Sequence, residues 1–273
     1  MKNKKLIITG AIALFLIAFV CIGIFGKNGV ANKENNSDKV KIDETVSSSV
    51  NSAEKNDSSE AVSAEVDADI PVPTYVKPDP EMMLPEMREL YEQNNDFYGK
   101  LTIEGTVIDY PVMYSGDDFY INHNFYKNNQ RSGSLYIDRY CMANPRGTNL
   151  IIHGHNMKSG IMFGTLEEYK QEEYYKEHPT IKFTTLYEEE EYEIFAAFKS
   201  QVFKKTDTCF KYYKFYNAAN KEEFDSYVDN CLALAFYDTG IRPEYGDRLI
   251  ALSTCEYSVT NGRMVVVARK INN

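Results

Sequence analysis

The most informative stretch of this chain is Leu249-Ile-Ala-Leu-Ser-Thr-Cys-Glu-Tyr, an apolar run that leads into a cysteine, Cys255. Eight residues after the cysteine comes Arg263, from which a second apolar run, 264–268, continues. Short apolar runs bounded by polar residues are typical of buried β-strands. The pattern therefore predicts two buried strands that carry a thiol and a guanidinium at their ends.

A third apolar run carries histidines one hundred residues earlier, in Asn149-Leu-Ile-Ile-His-Gly-His-Asn. Its two histidines, His153 and His155, share strand parity, so alternation alone does not separate them. Gly154 favours His155, because a glycine lets the chain turn sharply and leaves His155 at the rim of the strand. We take His155 as the candidate and His153 as its main rival. A thiol, an imidazole and a guanidinium at strand ends are the parts of a nucleophilic acyl-transfer site.

These residues resemble the sortase family, the cysteine transpeptidases of Gram-positive bacteria, and more narrowly its class B branch. The family signature is matched by the Leu-Ser-Thr-Cys box at 252–255, the Gly-His at 154–155 and the downstream Arg263. A predicted helix before the first strand and the long interval between histidine and cysteine favour class B. The chain departs from the family at Ala251, usually Thr, and at His153, where an aromatic or apolar residue is expected.

The resemblance implies a reaction. Cys255 attacks the threonine carbonyl of a Pro-x-Thr-Gly/Asn-like sorting motif near the C-terminus of an exported protein. An amine of a peptidoglycan peptide, or of lipid II, then resolves the thioacyl intermediate. His155 acts as acid and base, and Arg263 either stabilises the oxyanion or holds the substrate backbone. Three further positions match class B residues that face the bound peptide: Asn122, Ser253 and Glu256. Thiol catalysis needs no cofactor, and the sequence shows no cluster with metal-ligand spacing.

The N-terminus predicts where such a site works. Residues 6–25 form an apolar run of twenty residues, about the length that a helix needs to cross a bilayer. Lys2, Lys4 and Lys5 precede it, which predicts a cytoplasmic N-terminus and an extracellular remainder that faces the cell wall. A cleaved secretory signal is the rival interpretation, although this run is longer than the usual apolar region of about 7–15 residues. Both interpretations export the rest of the chain.

Composition divides the chain into three parts: a cytoplasmic tip and membrane anchor at 1–26, an extracellular linker at 27–77 and a catalytic domain at 78–273. The linker is polar and shows no apolar period, so it is predicted to be a flexible tether. The catalytic domain is long enough for a single sizeable core. A formal net charge of −10 argues against a nucleic-acid partner, which would favour a basic surface.

The apolar runs of the catalytic domain predict about eight strands with a few helices. One helix is predicted from Asp79 to Gln93 and a longer one from 220 to 236, before the cysteine-bearing strand. An acidic turn at 188–190 is predicted to join two strands as a hairpin. The fold class is therefore mainly β with peripheral helices. An eight-stranded closed barrel with an N-terminal helix and an inserted helix fits this pattern and agrees with the sortase fold.

The chain has five cysteines, of which Cys21 lies in the apolar N-terminal run. The other four are Cys141, Cys209, Cys231 and Cys255. Their spacing follows no close-paired pattern and the domain is too large to need stapling, so free thiols are predicted. A bridge from Cys209 to Cys141 or to Cys231 stays open at this stage.

Three alternatives accompany the sortase interpretation. A pilin-polymerising sortase uses the same chemistry with a lysine acceptor on a pilin subunit. An L,D-transpeptidase also combines His, Cys and Arg, but that family has Gly before the cysteine and Arg directly after it, where this chain has Thr254 and Glu256. A catalytically inactive, membrane-tethered binding module is the third alternative. Such a module has no need for Cys, His and Arg together at strand ends.

Overall fold

A closed barrel of eight strands dominates the computed structural model, which describes residues 74–141 and 145–271. The order around the barrel is β1-β2-β3-β4-β7-β8-β6-β5. The strands are β1 (Phe97–Thr102), β2 (Asp109–Met113), β3 (Leu135–Ile137), β4 (Asn149–His153), β5 (Thr180–Thr185), β6 (Glu189–Gln201), β7 (Leu249–Glu256) and β8 (Gly262–Lys270). The predicted fold class, mainly β with peripheral helices, is confirmed.

Seven short helical segments surround the barrel in the described residues. The α-helices are α1 (Pro85–Gln93), α2 (Glu172–Glu177) and α3 (Lys221–Leu234), and the 3-10 helices are Pro80–Met82, Phe119–Ile121, Gly164–Lys170 and Tyr212–Lys214. The inserted helix α3 begins after Asn220, whose side chain accepts a hydrogen bond from the backbone N–H of Glu223. Its buried face, which includes Phe224 and Tyr227, joins the main core.

The helix predicted from Asp79 to Gln93 is interrupted. Asp79 does cap a helical turn, with its carboxylate accepting from the N–H of Glu81, but that turn is a 3-10 helix that ends at Met82. The residue before a proline is driven toward an extended conformation. Leu84, with ψ of 137°, accordingly separates this turn from α1, which starts at Pro85.

The central strands β7 and β8 are buried on both faces. Residues 249–252 and 264–268 are fully inaccessible to solvent. One face of each strand fills the barrel, and the other is covered by helices and loops packed on the outside. This double burial explains why the two strands appear in the sequence as continuous apolar runs instead of alternating patterns.

The hairpin predicted around the acidic run is present as β5 and β6, but the predicted position of its turn, 188–190, is wrong. Strand β5 ends at Thr185 and β6 begins at Glu189, so the turn lies at 186–188. Glu190 is buried within the strand, where it pairs with Arg146 and, at 2.8 Å, with Lys270. These partners offset the cost of burying a carboxylate, which a sequence pattern alone does not show.

The predicted membrane anchor and nearly all of the predicted linker lie outside the described residues. Within 74–141 and 145–271, no helix is both long and apolar enough to cross a membrane. The four cysteines of this part of the chain, Cys141, Cys209, Cys231 and Cys255, are free thiols, which confirms that prediction.

Candidate active site

The pairing of three neighbouring strands brings the three predicted catalytic residues to the same edge of the barrel. Strands β4 and β7 run parallel, and their last pair is His153 opposite Ser253. Two residues further along each strand direction stand His155 and Cys255. Strand β8 runs antiparallel to β7 and places Arg263 directly opposite Cys255. An imidazole, a thiol and a guanidinium therefore meet at one edge of the barrel.

All three of these side chains line one pocket at this edge. The pocket is lined by Ile121, Tyr136, His153, Gly154, His155, Ser253, Thr254, Cys255 and Arg263. Cys255 is partly exposed there, whereas Cys141 and Cys231 are fully buried. Burial raises the pKa of the Cys141 and Cys231 thiols, which makes them poor nucleophiles. Among these three cysteines, Cys255 alone is open to a substrate.

The His155 ring is oriented by a backbone carbonyl. Its Nε2 lies 2.7 Å from the carbonyl oxygen of Ile121, at the end of the 3-10 helix Phe119–Ile121. A carbonyl can only accept, so Nε2 carries the proton of this hydrogen bond. In a neutral imidazole the other nitrogen, Nδ1, then has a free lone pair. This tautomer leaves Nδ1 as the atom that can accept the thiol proton.

Gly154 serves the site in a different way from the one predicted. Its φ is not in the left-handed region, so no unusual turn requires a glycine there. A Cβ at this position would instead lie 2.4 Å from a methyl group of Leu135 and 2.8 Å from the ring of Phe163. The missing side chain therefore lets the backbone between the two histidines pack closely against the core.

His153, the rival histidine, is engaged by a buried carboxylate. Its Nε2 lies 3.0 Å from Oδ2 of Asp138, and its ring packs beside Tyr136 at a centroid distance of 5.4 Å. Asp138 is nearly inaccessible to solvent and also accepts from the backbone N–H of Tyr140. His153 thus lines the pocket opposite Ser253, two residues before Cys255 along β7. Its hydrogen bond with Asp138 holds the ring in place.

Ser253 forms part of the pocket floor. Its hydroxyl lies 2.7 Å from the hydroxyl of Tyr212, which belongs to the long connection between β6 and β7. Burial raises the pKa of Tyr212 to about 12, so the phenol stays neutral and can donate this hydrogen bond. The contact ties the β6–β7 connection to the strand that carries Cys255.

The guanidinium of Arg263 is available to a substrate. Its Nη1 donates to the carbonyl of Gly262 at 2.9 Å and, more weakly, to that of Asn261. Within the described parts of the chain, no carboxylate forms an ion pair with Arg263. A merely structural surface arginine would be expected to pair with a nearby acid, and this one retains an uncompensated charge opposite Cys255.

Two predicted substrate-contacting residues do not line the pocket. Asn122 ends the 3-10 helix beside Ile121, and its carbonyl accepts from the N–H of Gln130. Glu256 is buried, and its carboxylate contacts Lys199 at 2.7 Å and the Ser258 side chain. Burial alone would raise the pKa of Glu256, but the hydrogen bonds from Lys199 and Ser258 outweigh it and lower the pKa to about 2.

Comparisons with known proteins agree with this geometry. A family model described as a sortase domain matches residues 101–271. Sortase B of Listeria monocytogenes is 34% identical over 189 residues, which cover 68% of this chain and 74% of the relative. The chain belongs to the class B sortases. It is therefore a cysteine transpeptidase, a family that acts on sorting signals and an amine acceptor, and this sets aside the L,D-transpeptidase and the inactive binding module.

Solved structures of other class B sortases share the fold of this sortase. The structure of the Staphylococcus aureus sortase B–substrate complex is 28% identical, covers 70% of this chain and 87% of its own, and has a TM-score of 0.63. Sortase B of Clostridium perfringens is 29% identical, covers 68% of this chain and 99% of its own, and has a TM-score of 0.61.

The structure adds site residues that the sequence did not indicate. Four of them line the pocket or form a hydrogen bond with a residue that lines it: Ile121, Tyr136, Asp138 and Tyr212. Asn156, which directly follows His155, contacts the backbone of Cys255. Asn156 stands within the histidine segment, but nothing in the sequence set any of these residues apart as part of the site.

Proposed function

We propose that this sortase cleaves a Pro-x-Thr-Gly/Asn-like sorting motif of exported proteins after threonine and joins them to an amine of a peptidoglycan peptide. The observation that carries the proposal is the position of Cys255. This partly exposed thiol lies between a histidine that follows one neighbouring strand and, on the other, an arginine with no carboxylate partner among residues 74–141 and 145–271. Membership of the class B sortases supports the reaction type, and the pocket supports the assignment of roles.

In the first half of the reaction, Nδ1 of His155 accepts the thiol proton of Cys255 and the thiolate attacks the threonine carbonyl. The resulting imidazolium stays beside the site and donates its proton to the departing amine. A single group that serves first as base and then as acid contributes typically 10²–10⁴-fold in rate. The hydrogen bond from Nε2 to Ile121 keeps the ring in position throughout.

Arg263 stabilises the oxyanion of the tetrahedral intermediate in this scheme. Arg263 pairs directly opposite Cys255 and lines the same pocket, so its guanidinium is within reach of the carbonyl that the thiolate attacks. Loss of a donor to an oxyanion typically costs about 10²–10³-fold in rate. Because no carboxylate of the described residues pairs with the Arg263 guanidinium, its charge is available to the negative charge that develops during the reaction.

In the second half, the acceptor amine attacks the thioacyl intermediate. Nδ1 of His155 removes a proton from the amine, and Cys255 leaves as the thiolate. The new bond is an amide between the threonine carbonyl and the acceptor, and the thiol is regenerated by the imidazolium. Each proton taken up by His155 is returned, so the cycle needs no cofactor.

The same proposal includes a location. Residues 6–25 anchor the chain in the cell membrane by a single span with a cytoplasmic N-terminus, and 27–77 tether the catalytic domain outside. The apolar length of the first segment and the preceding lysines support this arrangement. Added protease digesting the domain in intact protoplasts would agree with it, and a domain protected until the cells are lysed would contradict it.

The test of function uses the full-length chain in mild detergent. Quenched peptides of the Pro-x-Thr-Gly/Asn type are offered with and without an acceptor, either a peptidoglycan peptide amine or a lysine on a protein. We expect cleavage and a ligated product that are lost in Cys255→Ala and retained in the matched control Cys209→Ala. Preference for the protein lysine would instead indicate pilin polymerisation. Turnover that survives in Cys255→Ala would refute the proposed nucleophile.

A further inference from the structure

Asn156 connects the histidine segment to the cysteine across 99 residues of chain. Its side-chain Nδ2 donates to the backbone carbonyl of Cys255 at 2.8 Å and to Oε1 of Glu167 at 3.2 Å. A primary amide has two N–H donors, and these two contacts use both of them. The orientation of the Asn156 amide is therefore set by Glu167, and the amide in turn fixes the peptide group of Cys255.

A chain of ion pairs closes this connection into a ring. Lys170 forms an ion pair with Glu167 and a second one, at 3.4 Å, with Glu256. Glu256 is covalently next to Cys255, so the ring returns to the residue that Asn156 holds. Each of these polar groups has a partner, which explains how several charges are accommodated in a partly buried place.

We propose that Asn156 is a positioning residue that holds the thiol of Cys255 in register with the imidazole of His155. The inference rests on the catalytic roles proposed above. Asn156 does not line the substrate pocket, so it acts on the reaction only through the residues that it holds. It directly follows His155 in the chain and binds the main chain of Cys255, and a change in its side chain alters the relation between those two groups.

Proton transfer requires the donor and acceptor atoms to stand within hydrogen-bond reach, about 2.6–3.2 Å apart. A misplacement of about 1 Å can cost about 10²-fold in rate. The β4–β7 pairing ends at His153 and Ser253, below the level of the catalytic groups. Beyond that pair the two segments are joined by Thr254, whose hydroxyl donates to the carbonyl of Gly154 at 2.7 Å, and by Asn156.

The experiment compares Asn156→Ala and Asn156→Asp with the matched control Asn230→Ala, an asparagine on the exposed side of α3 that donates to the carbonyl of Ser226. Peptide cleavage by the full-length chain gives kcat and KM. The rate of alkylation of Cys255 by iodoacetamide, followed against pH by mass spectrometry, reports on the thiol without requiring turnover.

We expect kcat to fall about 10- to 100-fold in Asn156→Ala while KM stays within about threefold, because the pocket itself is unchanged. Asn156→Asp should lose more, since its carboxylate repels the Cys255 carbonyl and Glu167. In both variants alkylation of Cys255 at neutral pH should be slower than in the parent, because the imidazole of His155 no longer stands where it can accept the thiol proton. Asn230→Ala should match the parent in every measurement.

A second pair of variants leaves Asn156 in place. Glu167→Gln keeps an oxygen that accepts from Asn156 and should retain at least about a third of kcat. Glu167→Met removes the acceptor and should lose about tenfold. Equal kcat in these two variants would contradict the role of Glu167 in orienting the amide.

Unchanged kcat and an unchanged alkylation profile in both Asn156 variants would overturn the proposal. A lower midpoint of thermal unfolding with parental kcat and profile below that midpoint would overturn it too, because it would show a purely structural role. Failure of the proposed function looks different: in that case the parent chain itself shows no turnover that depends on Cys255.

Discussion

Strands β6 and β8 carry charged residues near both ends. Near one end Glu190 has partners of opposite charge, and near the other end the described residues offer Arg263 no carboxylate partner. At one end, Glu190 is buried and contacts Arg146, Lys270 and the hydroxyl of Tyr192. At the other end, ten residues or about 33 Å along β6, Ser200 pairs with Arg263, whose guanidinium has no carboxylate partner among the described residues. The same two strands thus carry a cluster of paired charges near one end and a charge without a carboxylate partner near the other.

This difference indicates that the end of the barrel with Cys255 and Arg263, and not the end with Glu190, carries out the reaction. Buried charges that pair with one another depend on their partners, so removing one partner leaves an uncompensated charge and destabilises the fold. A thiol, an imidazole and a guanidinium that line one pocket can instead contact a substrate, and together they are the groups that nucleophilic acyl transfer uses. We therefore expect substitutions at the Glu190 end to change the free energy of unfolding and substitutions at the Cys255 end to change the rate.

The largest effect is expected at the catalytic end. Cys255→Ala and His155→Ala should each lower kcat/KM by about 10³-fold or more, because nucleophile and base act as a unit. The midpoint of thermal unfolding should move by less than about 2 °C in both. Peptide cleavage and differential scanning calorimetry on the same samples check this. A large loss of stability in either variant would contradict the expectation that substitutions at this end change the rate and not the free energy of unfolding.

The next prediction concerns the Glu190 end, where a substitution should change stability and not the rate. Glu190→Ala leaves the buried guanidinium of Arg146 without its counter-ion, and the free energy of unfolding should fall by about 3–5 kcal/mol. The kcat of the folded fraction should stay within about twofold. Glu189→Ala, at the exposed neighbouring position, is the control and should change stability by less than about 0.5 kcal/mol. Urea unfolding measures both, and a comparable fall in kcat and stability would remove the proposed contrast.

Arg263→Lys tests whether the open charge must also have the right shape. Lysine keeps the charge but lacks the planar fork of donors, so kcat/KM should fall about 10²-fold with little change in stability. Arg248→Lys, an exposed arginine near the Glu190 end, serves as the control. Activity close to that of the parent would show that charge alone is sufficient.

The smallest effect concerns a satisfied charge at the catalytic end. The pKa of Glu256 is about 2 in the folded chain, below its usual value of 4.5, because hydrogen bonds from Lys199 and Ser258 outweigh its burial. A lowered pKa stabilises the fold above pH 4.5, and that contribution is lost as pH falls toward 2. The stability difference between parent and Glu256→Gln should shrink over this window. A difference that stays constant would mean that Glu256 is not held as described.

Much of the fold followed from the sequence because its central strands are buried on both faces. The apolar runs that start at Asn149 and Leu249 and the run at 264–268 lie within β4, β7 and β8, as predicted. The errors arose where a local feature competed with the pattern. Pro85 interrupts the first predicted helix, and the acidic run at 188–190 concealed a residue that enters a strand and is buried.

The sequence predicted which catalytic residues stand at strand ends, but it did not predict the groups that orient them. The sequence placed His155, Cys255 and Arg263 at strand ends, and the structure brings them to one pocket. Their catalytic roles remain predictions. The groups that orient them come from distant segments with no periodic signal, such as the carbonyl of Ile121 and the hydroxyl of Tyr212. Contacts of this kind depend on tertiary packing, which a single sequence does not encode locally.

The most direct measurement of the central claim is the mass of the acylated protein. The full-length chain is mixed with a cleavable sorting peptide without acceptor, quenched in acid and digested for mass spectrometry. We predict that the peptide fragment ending in threonine is found as a thioester on Cys255, and that adding the acceptor amine releases it as an amide. A fragment attached at another residue, or cleavage with no covalent intermediate under conditions that preserve thioesters, would contradict the assignment of Cys255 as the nucleophile.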